Sequence, residues 1–456
     1  YGRLKTLLKS ILLAVAALVL VGLGLSGLRT GAPPSLELVT EARAIGPRTP
    51  ILARARVSGR GLAGLRLEIE QNGRVRVLAQ REHAPLPAWR LWGQGTLEDE
   101  LGADVGHQAL PELKEGEAVV RAVAERARTW LFSPAPVVKE LSLSVRRTPP
   151  ALGLVSTQHY VMQGGSGVVV YRVSASAVSD FVSAGEWRFP GAPLPGGRSG
   201  DRVALFGVPW DLDDAARLRI VAEDDAGNAA SLVFVDRFER RPPARDRIGL
   251  DDAFLTKVTT EIRERTPSLT ASGNLLDDYL AINRGLRAEN ARELVGLGRE
   301  SAPAFLFQDV LQPLRNAQVM SAFADRRSYV YGGREVDQQT HLGFDLAVVA
   351  RTPVPAPSRG VVKLARYFGI YGNAVVLDHG MGLMTLSAHL STIDVAEGQE
   401  LERGAILGST GATGLAGGDH LHFTTLVRGL PVNPIEWWDA KWIRDRITGK
   451  LPHAAN

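Results

Sequence analysis

The chain has 456 residues, of which 45% are hydrophobic and 22% are charged, a composition typical of a folded multidomain protein rather than of a disordered or collagen-like one. Its 53 basic and 49 acidic residues leave a net charge of only +4, which excludes a strong overall field for nucleic acid, and no local basic patch replaces it. Because cysteine is absent, disulfides, thiolate nucleophiles and cysteine-based metal sites are excluded, and any metal chemistry must use histidine and carboxylate ligands.

The N-terminal segment predicts a membrane anchor. Residues Ile11 to Leu28 carry no charge, and with the two leucines just before them they are long enough for a helix that crosses a hydrocarbon core of about 30 Å. Basic residues precede this segment, which places the N-terminus in the cytoplasm by the positive-inside rule: Arg3, Lys5 and Lys9. We therefore predict a cytoplasmic stub and transmembrane anchor over residues 1–30, a single pass through the inner membrane, and the bulk of the chain in the periplasm or cell-wall space. A cleaved signal peptide is the alternative, although Leu25–Leu28 lacks a small-x-small cleavage pattern.

The next two hundred residues predict two β-sandwich domains. Short alternating apolar runs are separated by segments that contain glycine and proline, with a boundary at the Arg-Arg-Thr-Pro-Pro phrase that begins at Arg146. The phrase Asp224–Asn228 resembles the D-x-A-G-N turn of extracellular immunoglobulin-like repeats. We predict immunoglobulin-like β-sandwiches over 35–147 and 148–240, which can bind a protein partner.

A helical segment follows. Apolar residues at helical spacing predict helices over 251–265 and 275–297, within a helical linker that we place at 248–300. The favoured interpretation is a packed hairpin that positions the last domain, and a gating or partner-binding role is the alternative.

Histidine is concentrated in the C-terminal third. Of nine histidines, five lie between positions 341 and 422: His341, His379, His389, His420 and His422. Neutral imidazole is the commonest protein ligand for metals, and a hydrolytic zinc site uses three protein ligands and leaves a fourth position for water. This concentration predicts a metal centre built from histidine and carboxylate.

Two short patterns supply the ligands. His420 and His422 precede an apolar run and lie two residues apart, so in a strand both side chains project from the same face. His341 and Asp345 flank a glycine, which indicates a loop entering a strand, and a carboxylate suits zinc. His389 lies between apolar neighbours, where a lone histidine is more often a hydrogen-bonded core residue than a ligand.

The run from His341 to Pro434 resembles the lysostaphin and LytM-type zinc metallopeptidases, which are peptidoglycan endopeptidases with a duplicated-hybrid-motif β fold. The matching phrases are H-x-x-x-D, a central histidine phrase, G-x-T-G and H-L-H: His341–Asp345, Ser387–Leu390, Gly411–Gly414 and His420–His422. We expect an antiparallel-β peptidase domain over 301–445 in a mainly β, multidomain chain.

The resemblance implies one Zn²⁺ per chain, held by His341, Asp345 and His422, with His389 and His420 assisting catalysis. Which of these two histidines acts as base stays open. Ser387 stands where many relatives have tyrosine, a departure that we expect to change pocket packing or substrate contact rather than activity.

The substrate implied by the resemblance is the peptide stems and cross-links of peptidoglycan. Two alternatives remain: a catalytically silent scaffold that activates another cell-wall hydrolase, and an enzyme autoinhibited by its upstream domains. In the second case the linker asparagines are candidates for a fourth zinc ligand: Asn274, Asn283 and Asn290.

Outside the site, two further expectations concern the peptidase segment. His379 falls in an Asp-His-Gly phrase between predicted strands and is expected at the surface. The tryptophans near the end of the chain are expected to cap the core rather than to touch the membrane interface: Trp437, Trp438 and Trp442.

Overall fold

The computed structural model describes residues 2–90, 92–93, 95–242, 244–307 and 309–451. These residues form two compact units. The first runs to Pro150 and includes Ser176–Val178 and Glu223–Ala229. The second comprises Ala151–Ala175, Ser179–Ala222 and the chain from Ala230 onward.

The first unit begins with helix α1 (Gly2–Leu28). The segment Arg3–Leu28 is long and apolar enough to cross a membrane, and almost none of it is buried by the rest of the protein. The predicted N-terminal apolar helix is therefore confirmed, whereas its role as anchor or as signal is not decided by length and composition.

Two sheets follow α1 and share one core. Their strands follow from the alternation of apolar and polar residues. In β3, for example, Ile51, Ala53 and Ala55 face inward while the residues between them are more exposed. The sheets have the orders β1-β3-β6 and β2-β8-β7-β4-β5. The strands are β1 (Ser35–Val39), β2 (Ala44–Ile45), β3 (Thr49–Arg56), β4 (Leu62–Gln71), β5 (Arg74–Glu82), β6 (Glu98–Val105), β7 (Gly116–Arg126) and β8 (Val137–Val145).

The second unit opens with another pair of sheets, of orders β14-β15-β11-β9 and β13-β12-β16-β17, and with the pair β10-β18. Their core is continuous with the C-terminal end of the chain, because Val432 and Trp437 pack into the same cluster as Val168 and Phe206. The strands are β9 (Leu152–Leu154), β10 (Tyr160–Met162), β11 (Ser166–Val173), β12 (Ser179–Ala184), β13 (Trp187–Pro190), β14 (Ala192–Pro193), β15 (Asp201–Gly207), β16 (Leu218–Glu223), β17 (Ala229–Val233) and β18 (Arg237–Glu239).

Helices lie where the apolar spacing predicts them. Asp251 caps α2 (Asp252–Arg265) by accepting a hydrogen bond from the Phe254 amide, and Asn274 caps α3 (Leu275–Leu280). A π-helical turn (Ala281–Leu286) joins α3 to α4 (Arg287–Arg299). The apolar faces of α2 and α3 share a cluster with Tyr329 and Ile370, so this segment packs on the following β domain.

The C-terminal part contains an antiparallel sheet of order β20-β23-β31-β27-β26-β25-β29, with β32 paired to β31, and the smaller sheets β19-β21-β22 and β24-β30-β28. Every residue of β27 and β31 is buried. The strands are β19 (Arg245–Leu250), β20 (Gln318–Ser321), β21 (Asp325–Tyr331), β22 (Arg334–His341), β23 (Phe344–Ala347), β24 (Pro353–Pro355), β25 (Gly360–Tyr367), β26 (Asn373–Asp378), β27 (Leu383–Leu390), β28 (Thr392–Ile393), β29 (Glu400–Leu401), β30 (Ile406–Ser409), β31 (Leu421–Val427) and β32 (Leu430–Val432).

The chain closes on the short helices α5 (Pro434–Trp438) and α6 (Ala440–Arg446). Trp437 is fully buried, the Trp438 ring lies 5.1 Å from that of Phe344, and the Trp442 ring lies 5.5 Å from that of Trp437. These tryptophans cap the core, as predicted. The mainly β class is also confirmed, while the immunoglobulin-like character of the two sandwiches, the domain boundaries and the linker role of 248–300 stay predictions.

Candidate metal centre and active site

Three side chains from three strands converge at one point, two of them from neighbouring strands of the large sheet and one from the sheet β19-β21-β22. His341 ends β22, Asp345 lies in β23, and His422 lies in β31, where it pairs directly with Asp345. Asp345 Oδ1 is 3.0 Å from His341 Nε2 and 2.9 Å from His422 Nδ1, and the two imidazole nitrogens are 3.1 Å apart. All three donor atoms lie within 4.8 Å of one another, so one cation can contact the whole set.

Hydrogen bonds on the far side of each ring fix which nitrogen faces this centre. His341 Nδ1 is 3.0 Å from the Ala322 carbonyl oxygen, which can only accept, so Nδ1 donates and Nε2 is left unprotonated in the neutral ring. For His422 the outer nitrogen is Nε2, 3.0 Å from the Thr424 hydroxyl. That hydroxyl donates to the Leu342 carbonyl oxygen at 3.0 Å and therefore accepts from His422. Both neutral rings thus present a lone pair to the centre.

The Asp345 carboxylate stays charged. Burial by itself raises the pKa of Asp345, but the close contacts of its carboxylate with His341, His420 and His422 outweigh burial and hold the pKa well below its usual range. Burial lowers the pKa of His422 to about 4, against the opposing effect of Asp345. At neutral pH the centre therefore combines an anionic carboxylate with neutral imidazole, which is the ligand chemistry that zinc accepts.

An arginine that sequence reasoning missed holds the other carboxylate oxygen. Arg327 Nη2 lies 2.7 Å from Asp345 Oδ2, which leaves Oδ1 toward the histidines. The Arg327 Nε is buried and has no hydrogen-bond partner. The available signal was weak: Arg327, Tyr329 and Tyr331 alternate along β21, a spacing that puts them on one face of a strand.

His389 and His420 lie beside the ligand cluster. The His389 ring centroid is 4.9 Å from that of His420 and 5.7 Å from that of His422. Each ring donates its Nδ1 hydrogen to a backbone carbonyl at 2.8 Å, Thr413 for His389 and Gly418 for His420. In both neutral rings Nε2 is therefore unprotonated, and in His420 it lies 3.5 Å from Asp345 Oδ1.

A local irregularity of the backbone sets the orientation of the His389 side chain. His389 has a φ of +61° near the end of β27, and the pairing of β26 with β27 shifts register between Asn373 and Val375. Such bulges redirect a side chain at the cost of local strain. Burial, followed by the nearby His420 and His422, lowers the pKa of His389 well below its ordinary value. Burial also acts to lower the pKa of His420, but Asp345 outweighs it and the pKa is raised.

These groups line a cavity of about 370 Å³. Tyr371 forms part of its wall, with its ring 5.6 Å from that of His422. The helices before the β domain form another part, through Phe254, Tyr279 and Arg287. The Tyr279 hydroxyl is buried and has no hydrogen-bond partner.

Polar contacts hold these helices to the loops that frame the cavity. Glu261 Oε1 accepts a hydrogen bond from the Gly414 amide at 2.7 Å, and Lys257 Nζ donates to the Ala416 carbonyl oxygen at 3.0 Å. The helices therefore contact the glycine-rich loop that leads into His420.

The linker asparagines do not reach the metal centre. Asn274 caps α3, Asn283 donates to Asp337 Oδ2 at 2.8 Å, and Asn290 accepts from the Ile370 amide at 3.1 Å. Their side chains are thus used within the helical segment and its packing, and the expectation that one of them is a fourth ligand is wrong.

The expectation for His379 is also wrong, because this ring is fully buried. Its Nδ1 lies 2.7 Å from the Arg359 carbonyl oxygen and its Nε2 lies 2.9 Å from the Thr385 hydroxyl. The segment after α4 covers this turn, with the Leu306 amide donating to the His379 carbonyl oxygen at 2.8 Å. Ser387 is likewise buried, paired with Val375 and Phe423, and does not line the cavity described above.

Part of the chain is similar to known proteins. Residues 339–434 match the family model described as Peptidase family M23. The DD-carboxypeptidase/endopeptidase Mpg of Neisseria meningitidis serogroup B is 37% identical over 125 residues, which are 27% of this chain and 28% of that protein. The peptidoglycan DD-endopeptidase ShyA of Vibrio cholerae is 44% identical over 96 residues, 21% of this chain and 22% of that protein. The chain thus matches less than a third of the length of either curated relative.

Among solved structures, a zinc-containing peptidase from Vibrio cholerae aligns with 91% of this chain and 90% of its own, at 14% identity and a TM-score of 0.26.

Proposed function

Since residues 339–434 match the family model described as Peptidase family M23, we propose that the protein is a zinc-dependent endopeptidase that hydrolyses peptide cross-links of peptidoglycan. We further propose that α1 holds it in the inner membrane, with the bulk of the chain in the periplasm or cell-wall space. One observation carries the catalytic part: the donor atoms of His341, Asp345 and His422 lie within 4.8 Å of one another, the rings of His389 and His420 lie beside them, and each neutral ring has one unprotonated nitrogen.

This arrangement fits a divalent cation. The facing nitrogens of His341 and His422 are 3.1 Å apart, and two lone pairs at that distance repel unless a cation or a proton lies between them. The low pKa of His422 disfavours the proton. His341, Asp345 and His422 would hold Zn²⁺, which, when bound, supplies an acidic water and polarises the carbonyl of the scissile amide.

The remaining residues would position groups and move protons. His389 and His420 flank the ligand cluster with Nε2 toward it, within reach of a proton on an attacking water or a leaving amine. Which of them takes the proton stays open. Arg327 holds Asp345 Oδ2 and so keeps the carboxylate from turning, as outer partners of metal ligands commonly do.

The end of α1 supports an anchor over a cleaved signal. The Thr129 hydroxyl donates to the Gly27 carbonyl oxygen at 2.7 Å, and Trp130 Nε1 donates to the Leu23 carbonyl oxygen at 3.2 Å. Ser26 and Gly27 are buried. The last turns of the helix are thus part of the folded first unit, which cleavage would disrupt.

A second candidate is an autoinhibited form of the same enzyme. It is favoured by the cavity wall that Phe254, Tyr279 and Arg287 provide and by the bond from Gly414 to Glu261. Glu261→Gln in the full chain weakens this contact. A rise in turnover at unchanged zinc content supports autoinhibition, a fall indicates a positioning role for the helices, and an unchanged rate contradicts autoinhibition through this contact.

Hydrolysis of purified cross-linked muropeptides by the full-length, zinc-loaded protein tests the proposal. New amine ends that vanish with chelator and return with zinc support it. A fully zinc-loaded protein that cleaves neither as the parent nor as Glu261→Gln would favour the scaffold alternative.

A further inference from the structure

Two loops of the first unit expose large apolar side chains to an unusual degree. The loop from β5 to β6 carries Trp89 and Trp92, and the loop from β7 to β8 carries Trp130, Leu131 and Phe132. Each of these five side chains is between 48% and 68% exposed. We call these five residues the aromatic collar. A soluble surface seldom groups so many large apolar side chains, and such patches mark sites of interaction.

Hydrogen bonds join both loops to the end of α1. Trp130 Nε1 donates to the Leu23 carbonyl oxygen and also lies 3.2 Å from the Ser26 hydroxyl. Arg29 Nη1 donates to the Arg90 carbonyl oxygen at 2.5 Å. Beneath them the buried Arg60 donates to the carbonyl oxygens of Arg29 and Arg128, at 2.9 and 3.0 Å. The collar is therefore fixed around the point where the helix enters the folded unit.

The depth of this point follows from helix geometry. The nineteen residue steps from Lys9 to Leu28 span about 28 Å, close to the thickness of a hydrocarbon core of about 30 Å. With Lys9 at one face of the bilayer, Leu28 lies at the other. Since Trp130 bonds to a carbonyl five residues before Leu28, its indole reaches about 7 Å toward the hydrocarbon.

The chemistry of the loops suits that depth. Tryptophan rings prefer the region where lipid headgroups meet acyl chains, because one end of the ring is apolar and the other bonds to polar groups. Arg90 and Arg128 are exposed beside them, and a guanidinium pairs well with phosphate. Neither loop, 83–97 or 127–136, contains an acidic residue.

We propose that the aromatic collar inserts into the outer interfacial layer of the bilayer that α1 crosses, so that the first unit sits on the membrane surface instead of swinging on a free stalk. This inference rests on the proposed membrane anchor. The occupant of the collar is lipid, with the three indole rings at headgroup depth and the two arginines at phosphate groups.

The absence of cysteine from the chain allows a direct test with single labels. Full-length variants Trp92→Cys, Phe132→Cys, Leu20→Cys and Val75→Cys each carry an environment-sensitive fluorophore in lipid nanodiscs holding one copy. The lipids bear a nitroxide quencher near the headgroup or near the end of the acyl chain. Leu20 reports on the anchor, about 12 Å deeper than Leu28. Val75 is an exposed apolar control on β5, about 23 Å along the strand from the collar loop.

We expect the labels at 92 and 132 to lose fluorescence mainly to the shallow quencher, the label at 20 mainly to the deep one, and the label at 75 to neither. Quenching at 20 without quenching at 92 and 132 overturns the collar and leaves the anchor standing. Absence of quenching at 20 overturns the anchor and the collar together. Labels at 92 and 132 that are shielded from iodide yet unquenched by lipid would place the collar against the protein itself, which also overturns the proposal. If Trp92→Cys does not fold, Trp89→Cys replaces it.

Discussion

A change at His389 best distinguishes the proposed metal ligands from the histidines proposed to assist catalysis, because His389 lies beside the ligand cluster but outside the donor set. We expect His389→Asn and His389→Ala to keep one zinc per chain and to lose turnover. Loss of one positioned acid or base typically costs 10²- to 10⁴-fold, about 3–5 kcal/mol in kcat/KM.

The two replacements differ in what they do to the backbone. At a φ of +61°, asparagine is tolerated far better than alanine, which must adopt the left-handed conformation without a compensating side-chain bond. Alanine also leaves the Thr413 carbonyl oxygen without the donor it has at 2.8 Å. We therefore expect the alanine variant to be less stable than the asparagine variant by about 1 kcal/mol, at equal loss of activity.

The assay measures muropeptide hydrolysis, zinc by elemental analysis and urea unfolding in detergent for each variant. His379→Gln is the matched control, since His379 is also a buried histidine, in the turn between β26 and β27, but directs both nitrogens to Arg359 and Thr385. It is expected to retain kcat/KM in the folded population. The reasoning is refuted if His389→Asn cleaves at the parental rate, or if it loses its zinc.

Three further outcomes follow from the same structure. Because His422 offers Nδ1 to the centre, His422→Ala should reduce bound zinc to background by elemental analysis, and retention of one zinc per chain would contradict the ligand set. Burial lowers the pKa of His379 to about 4, so the unfolded chain binds a proton there that the folded chain does not. Stability should then fall by up to about 3 kcal/mol as pH drops from 6.5 to 4, and His379→Gln should flatten that part of a urea-unfolding pH series. Burial raises the pKa of Glu436 to about 8, so the folded chain keeps a proton that the unfolded chain releases above about 4.5 and stability falls as pH rises between the two values. Glu436→Gln, which keeps an acceptor for the Ser166 amide, should remove this fall in thermal unfolding, and an unchanged slope would contradict the assignment.

The sequence predicted which side chains meet because their spacing follows strand geometry. His422 lies in the buried strand β31 and His420 just before it, so both project from the same face, and Asp345 lies directly opposite His422 on the neighbouring strand. The register between β23 and β31 is set by apolar neighbours such as Phe344 and Phe423, which the pattern also displays. Local alternation placed His420 and His422 on one face of a strand, and the family resemblance assigned His341, Asp345 and His422 as the expected ligands.

What the sequence did not predict depends on contacts between distant segments. Arg327, on β21, and Tyr279, on α3, line the cavity because the upstream helices pack on the β domain, and nothing in their own neighbourhoods marks them as site residues. His379 was misplaced for the same reason. Its Asp-His-Gly phrase is that of an exposed turn, but the segment around Ser301 and Leu306, more than seventy residues earlier in the chain, covers it.

The orientation of the imidazole rings could not be predicted from the sequence either, because it is set by backbone carbonyl groups, which every residue carries. Carbonyl oxygens of Ala322, Thr413 and Gly418 take the outer hydrogens of His341, His389 and His420, and any residue at those positions offers the same acceptor. No pattern of side chains can reveal such a choice, yet it decides which nitrogen faces the centre and whether that nitrogen is a donor or a lone pair. The residue identities thus supply the proposed ligands, and the path of the backbone around them decides which atom each of these side chains presents to the centre.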